Sequence, residues 1–293
     1  MSNTDQLVRT SNKEIKKRKK RSPFKIVLQA VMTLVAAAFM VPVFIIFNYS
    51  FKTKKELYLG NAFALPQSFN LDNYKTAYKK LNLGTTFFNT LFYTVVSVLI
   101  LALLCSVTAW AIARCKRKFF KFAYVYFIIG YLIPYQALFL PIYIVGNRLG
   151  LTNTRFGIIF MYIAVGMSFG IFLMNSFMST VPLELEEAAR LDGCSVLQTY
   201  FYVVFPLLKP AMATLIIMQS FLVWNDYLLA SLFASSKSLK TLTVAMQQLF
   251  STQSNDYNTA MAAVVISVLP ISILFLSLQK YFIKGMTAGS VKS

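Results

Sequence analysis

The chain has 293 residues, 57% of them hydrophobic and 13% charged, with a formal net charge of +19 and no histidine. That ratio fits a chain whose solvent is mostly lipid, and it excludes histidine-based catalysis and histidine-ligated metal sites. Cys105, Cys115 and Cys194 have no paired spacing, so neither a disulfide framework nor a thiolate metal site is expected.

A bilayer core about 30 Å thick needs roughly 20 apolar residues per helix. A basic tail, residues 1–25, comes first and carries nine Lys and Arg. The apolar run after it, 26–51, exceeds the h-region of a signal peptide and is followed by no small-residue cleavage site, so it reads as a retained first span. Further spans are expected at 87–113, 122–147, 156–179, 211–234 and 257–280, the fifth broken only by Asp226. The expected fold is all-α and polytopic: a membrane domain at 26–283 with six transmembrane helices, a loop at 180–210, and a tail at 284–293.

Charge orients these spans. The side shared with the N-terminus collects 19 Lys and Arg and the other side ten, which puts both termini in the cytoplasm. Lys52, Lys54 and Lys55 dissent, lying just outside the first span. The net charge follows from this topology and from contact with anionic lipid, so no nucleic-acid partner is expected.

The chain has no G-x-x-x-x-G-K-[ST] phosphate loop, and "GNRLG" at 146–150 reads as a turn. With no nucleophile–base pair and no carboxylate dyad, it is not expected to be an enzyme. Uphill transport would draw on a partner or on an ion gradient.

Four of the ten acidic residues, Glu184, Glu186, Glu187 and Asp192, fall within nine positions of the loop between the fourth and fifth spans. Ser179 and Thr180 are candidate helix caps, Pro182 suits a first turn, and the glutamates favour the positive helix N-terminus. Gly193 is placed to end the helix in a left-handed conformation. Glu184, Glu187, Ala188 and Leu191 share one side, and Pro206 and Pro210 are expected to stop regular structure before the fifth span. The helix reads either as a solvated loop or as a docking helix for a cytoplasmic partner.

"EEAARLDGCSVLQTYFYVVFPLLKP" (186–210) resembles the EAA loop of ABC importer permeases. Glu187, Ala188, Ala189, Asp192, Gly193, Pro206 and Pro210 match its pattern; Cys194 stands where the carbohydrate branch often has Ala. "LPQSFNLDNYKTAY" (65–78), "FFNTLFYTVVSVLILALLCSVTAWAIARCKRK" (87–118), "IPYQALFLPIYIVGNRLGLTNTRFGIIF" (133–160), "FLVWNDYLLA" (221–230) and "QKYFIKGMTAGSVK" (279–292) resemble the maltose-type, six-span permease subunit. The resemblance implies the type I importer fold in the bacterial cytoplasmic membrane and a role as permease subunit of an ATP-driven oligosaccharide importer. Implied partners are a second, homologous permease in a heterodimer, two ATPase subunits carrying ATP and Mg, and an extracytoplasmic solute-binding protein. No cofactor is expected on this chain, and the EAA helix is expected to couple it to the ATPase. The alternatives are a permease for another solute and an ion-coupled secondary transporter; the latter predicts more intramembrane ionisable residues than Asp226 alone.

Trp224, Asn225 and Asp226 admit two readings, a translocation path or gate and an interfacial cap at a helix end. "GMSFG" (166–170) reads as close helix packing. The C-terminal tail reads either as frayed or, by the resemblance, as reaching the ATPase dimer.

Overall fold

Among the described residues, 23–251 and 256–288 of a computed structural model, every regular element is helical. The basic cluster before residue 23 and the last five residues of the tail lie outside them. The first helix, α1 (Pro23–Phe51), has 29 residues, about 43 Å at 1.5 Å per residue, which exceeds the bilayer core. Two short helices follow. In α2 (Lys54–Leu59), Thr53 and Glu56 form a reciprocal capping box; α3 is Asp72–Lys80.

The long helix α4 (Leu83–Arg114) shows how a membrane helix inverts the soluble pattern. Its buried stripe carries Val98 and Leu101 but is otherwise small, polar or aromatic: Thr86, Asn89, Thr90, Tyr93, Thr94, Ser97, Ala102, Cys105, Ser106 and Ala109. Its exposed positions include Leu91, Val95, Leu99, Ile100, Leu103, Leu104 and Val107. Lipid is as apolar as leucine, so burying aliphatics gains nothing, and small and polar residues take the inside because they permit close approach and hydrogen bonding. The hydroxyls of Thr90 and Ser97 donate to Thr86 O and Tyr93 O one turn back, so these two donors are satisfied within the helix.

The expected third span, 122–147, is two helices, α5 (Lys118–Leu132) and α6 (Phe139–Arg148), joined by a 3₁₀ turn at Tyr135–Leu138 and bent by 89°. Pro134 causes the break. It lacks an N–H and drives Ile133 out of the helical region, to φ −83° and ψ 120°. The next helix, α7 (Arg155–Met178), packs closely on α4. A Cβ at Gly166 would stand 2.7 Å from Leu101 Cδ2, and one at Gly170 2.4 Å from Cys105 Sγ. The "GMSFG" pair is therefore a packing device.

After α7 come α8 (Leu183–Leu191) and α9 (Val196–Thr199), then a π-helical turn at Tyr200–Val204 that runs into α10 (Phe205–Trp224). The expected stop at Pro206 and Pro210 does not occur. Pro206 opens α10 and Pro210 lies inside it, so a continuous apolar helix runs from Val196 to Trp224. The wide turn accommodates Pro206, with the Phe205 N–H reaching back five residues to Tyr200 O; Pro210 lies beyond it, inside the regular helix. An interior proline costs about 3 kcal/mol in an ordinary helix because its ring meets the carbonyl one turn back, and a π turn loosens that ladder. The expected fifth span, 211–234, also ends early. The helix stops at Trp224, and α11 (Leu228–Phe233) is a separate short element.

The last elements are α12 (Leu242–Ser251) and α13 (Tyr257–Ala288). The latter runs past the expected end of the sixth span into residues assigned to the tail. Among the described residues five helices are long and apolar enough to cross a membrane, or six if the bent α5–α6 pair counts as one span. At the centre α4, α7 and α10 pack on one another, α5 lies against α7, and α13 bridges α10 and α1.

Candidate functional site

The EAA-like segment folds into α8, nine residues long, after Pro182 at φ −60° and ψ 135°. Proline fits the cap because no helical bond needs its missing N–H. Ser179 and Thr180 are not the caps: their hydroxyls donate to Ser176 O and Phe177 O, both at 2.7 Å. They serve the last carbonyls of α7, which have no helical donor of their own. Glu184 and Glu186 occupy the first turn of α8 and Arg190 the last, both favourable to the helix dipole. Gly193 has φ +86°, and the Gly193 and Cys194 N–H groups donate to Arg190 O and Ala189 O at 3.1 and 3.0 Å. This is the Schellman arrangement, and the left-handed residue it needs is glycine.

Two faces result. Glu184, Glu187, Ala188, Leu191 and Asp192 are exposed, Leu191 at 90%. Glu186 and Ala189 are buried, Glu186 completely. Its carboxylate accepts from Trp110 Nε1 at 2.9 Å and Arg114 Nε at 2.8 Å, and Arg114 also donates to Val181 O at 2.8 Å. The end of α4 thus holds α8 by its side chains. Tyr200 continues the contact, with its ring 5.2 Å from that of Trp110 and its hydroxyl 2.6 Å from Ser106 Oγ.

Sequence reasoning picked Glu187 and passed over Glu186. It also read Arg114 only as an orienting charge. The signal available was that Arg114 ends an apolar span directly, with Trp110 one turn before it.

Trp224, Asn225 and Asp226 separate in space. Trp224 is buried, donates from Nε1 to Ser267 O at 3.1 Å and packs edge-on against Phe87. Asn225 caps its own helix by donating to Phe221 O at 2.9 Å. Asp226, 9% exposed, accepts from Tyr162 Oη at 3.0 Å and from the Ala230 and Leu229 N–H groups at 2.9 and 3.4 Å. It begins α11 and also lines a cleft of about 330 Å³ between α5, the 3₁₀ turn, α7 and α10. Neither Trp224 nor Asn225 lines that cleft. Among the described residues no group of His, Cys, Asp and Glu is placed to hold a metal ion.

Residues 103–288 match the family described as binding-protein-dependent transport system inner membrane component. The chain is 40% identical, over 86% of its length and 91% of the relative, to the probable starch degradation products transport system permease protein AmyC of Thermoanaerobacterium thermosulfurigenes. It is 36% identical to the melibiose/raffinose/stachyose import permease protein MelC of Bacillus subtilis, over 91% of this chain and 96% of that one. A crystal structure of a bacterial ABC transporter involved in the import of the acidic polysaccharide alginate aligns with a TM-score of 0.78 at 26% identity, covering 91% of this chain and 98% of that chain.

Proposed function

The chain belongs to the family of binding-protein-dependent transport inner membrane components, and we propose that it is the permease half of an oligosaccharide importer driven through α8. As an ABC importer permease it is a multi-pass protein of the cell membrane, and ATP hydrolysis belongs to partner ATPase subunits. Sugars are the cargo named for its relatives, starch degradation products for one and melibiose, raffinose and stachyose for another, which supports a carbohydrate here too.

The observation that carries the coupling reading is the two-faced α8. Its inner face is tied to α4 through Glu186, while Glu187, Ala188 and Leu191 stand outward. A short helix that turns a carboxylate, an alanine and a leucine outward suits a groove on a partner. Gly193 and Asp192 fix where it ends, and Ala189, Pro206 and Pro210 set its seat and its continuation into the membrane. ATP and Mg are assigned to two ATPase subunits, and a solute-binding protein delivers sugar. Both termini lie in the cytoplasm with α8. The most apolar 18 residues of α1 bury nothing within this chain, which supports a second, homologous permease beside it in a heterodimer.

The test is Glu187→Lys in the reconstituted assembly. Reversing an outward charge should abolish sugar-stimulated ATP hydrolysis while the permease still inserts and co-purifies with its partner permease. Undiminished stimulation overturns the coupling role.

A further inference from the structure

The cleft beside Asp226 holds a feature that the packing of the helices does not use. Gln219 is 3% exposed, yet its side-chain amide has no hydrogen-bond partner among the described residues. An amide that bonds to no described protein group keeps its two N–H donors and its carbonyl acceptor for whatever occupies the cleft. What exposure it keeps opens on the cleft, where its Oε1 would stand 3.2 Å from a Cβ at Gly166. Ser168, half-buried across the cleft, has a hydroxyl that is likewise unpaired.

The rest of the lining selects the ligand chemistry. No Lys or Arg lines the cleft, so an anionic group finds no counter-charge. The single carboxylate, Asp226, already accepts from three donors of the protein, so it is not a free partner for a cation. The unused hydrogen-bonding capacity belongs to uncharged groups. Beside them stands Tyr131, 45% exposed and stacked on Phe172 at 5.6 Å, which offers an aromatic edge to an apolar ring face. Two glycines, Gly130 and Gly166, keep the space open; a Cβ on the first would meet Ser168 Oγ at 2.9 Å. At about 330 Å³ the cleft is near the lower bound of small-ligand sites, about 300 Å³, so it takes part of a ligand rather than a long chain.

We propose that this cleft is a carbohydrate subsite on this subunit, in which the amide of Gln219 and the hydroxyl of Ser168 bind the hydroxyls of a neutral sugar ring. The proposal rests on the importer reading and deepens it: this chain touches the cargo itself rather than only framing the path.

The experiment uses the full reconstituted assembly with maltotriose and raffinose as probes, and reads sugar carried per ATP hydrolysed. Gln219→Leu keeps size and removes the amide. The ratio should fall about fivefold or more, the factor a lost hydrogen bond carries, because delivered sugar slips back before it is passed on. A merely structural defect lowers uptake and hydrolysis together and leaves the ratio unchanged; so does a lipid tail filling the cleft. Either result overturns the subsite. In a second measurement Ser168→Cys, placed in a chain with Cys115 and Cys194 changed to serine, is alkylated in the assembly. The carried sugar should slow that reaction severalfold, and no protection counts against the proposal even if Gln219→Leu does not assemble. If the unaltered assembly carries neither probe while hydrolysing ATP, the importer reading fails and the subsite with it. Carriage by the unaltered assembly with an unchanged ratio in Gln219→Leu removes the subsite alone.

Discussion

Glu186 and Glu187 are adjacent, and their surroundings are opposite. One is wholly buried against Trp110 and Arg114, the other faces outward. Which of two successive carboxylates turns inward depends on the docking angle of a nine-residue helix, and that angle is set by Arg114, 72 residues away in the chain. Local pattern carries no such information, which is why the cap glycine was legible and the anchor was not. Breaking one side of a buried pair costs about 3–5 kcal/mol, and Arg114 keeps 18% exposure, so Glu186→Ala should sit at the lower end, about 3 kcal/mol. The consequence is local loosening of α8. Limited trypsin treatment should cut at Arg190 markedly faster than in the unaltered chain, while Glu186→Gln, which keeps an acceptor for the indole, falls between the two.

At the scale of elements, hydropathy located the apolar segments but not their axes. It reads composition, and both halves of 122–147 are apolar whether or not the axis turns by 89° between them. The information was present as Pro134, whose effect on Ile133 outweighs an apolar run. The reverse error came from Pro206 and Pro210, read as stops although a π turn admits the first and the helix continues through the second. The α4–α7 contact was more legible, because a small-xxx-small pair states how near two backbones come. Gly170→Val puts side-chain atoms where Cys105 Sγ already lies. Overpacking of this kind costs about 1–3 kcal/mol and should appear as a lower Tm in detergent. Cys105→Ala in the same chain should recover part of it, since the blocking atom is then gone and the two sites are coupled.

Over the whole molecule, the three lysines that dissent from the charge rule are partly taken up by the fold. Lys52 is 2% exposed, donates to Asn61 O at 3.1 Å and lies over the Tyr49 ring. Lys54 and Lys80 converge on Asp256 at 3.6 and 2.8 Å, tying α2 and α3 to the start of α13. Burial raises the proton affinity of Asp256, but the bond and charge of Lys80, the Thr259 hydroxyl and the charge of Lys54 outweigh it, so its carboxyl titrates below the usual range. A lowered carboxylate pKa contributes stability above the unfolded value, about 3.9, and loses it as pH falls through the folded value. Both lysines are substantially exposed, so the pairs are worth only about 0.5 kcal/mol. The Tm advantage over Asp256→Asn should therefore be small and constant from pH 5 to 7, shrink with salt, and vanish well below pH 4.

The attachment of α8 at two places has a mechanical meaning. One leg is the bonded end of α4; the other is the covalent run through α9 and the π turn into α10. Both legs rest on α7, and the cleft that holds Gln219 has α10 and α7 as two of its walls. Under the coupling proposal, a push on α8 would reach α10 through the π turn, the widest-wound turn among the described residues, against a support provided by α4. Because α10 and α7 wall the cleft, a rotation of α10 would change the width of the cleft mouth.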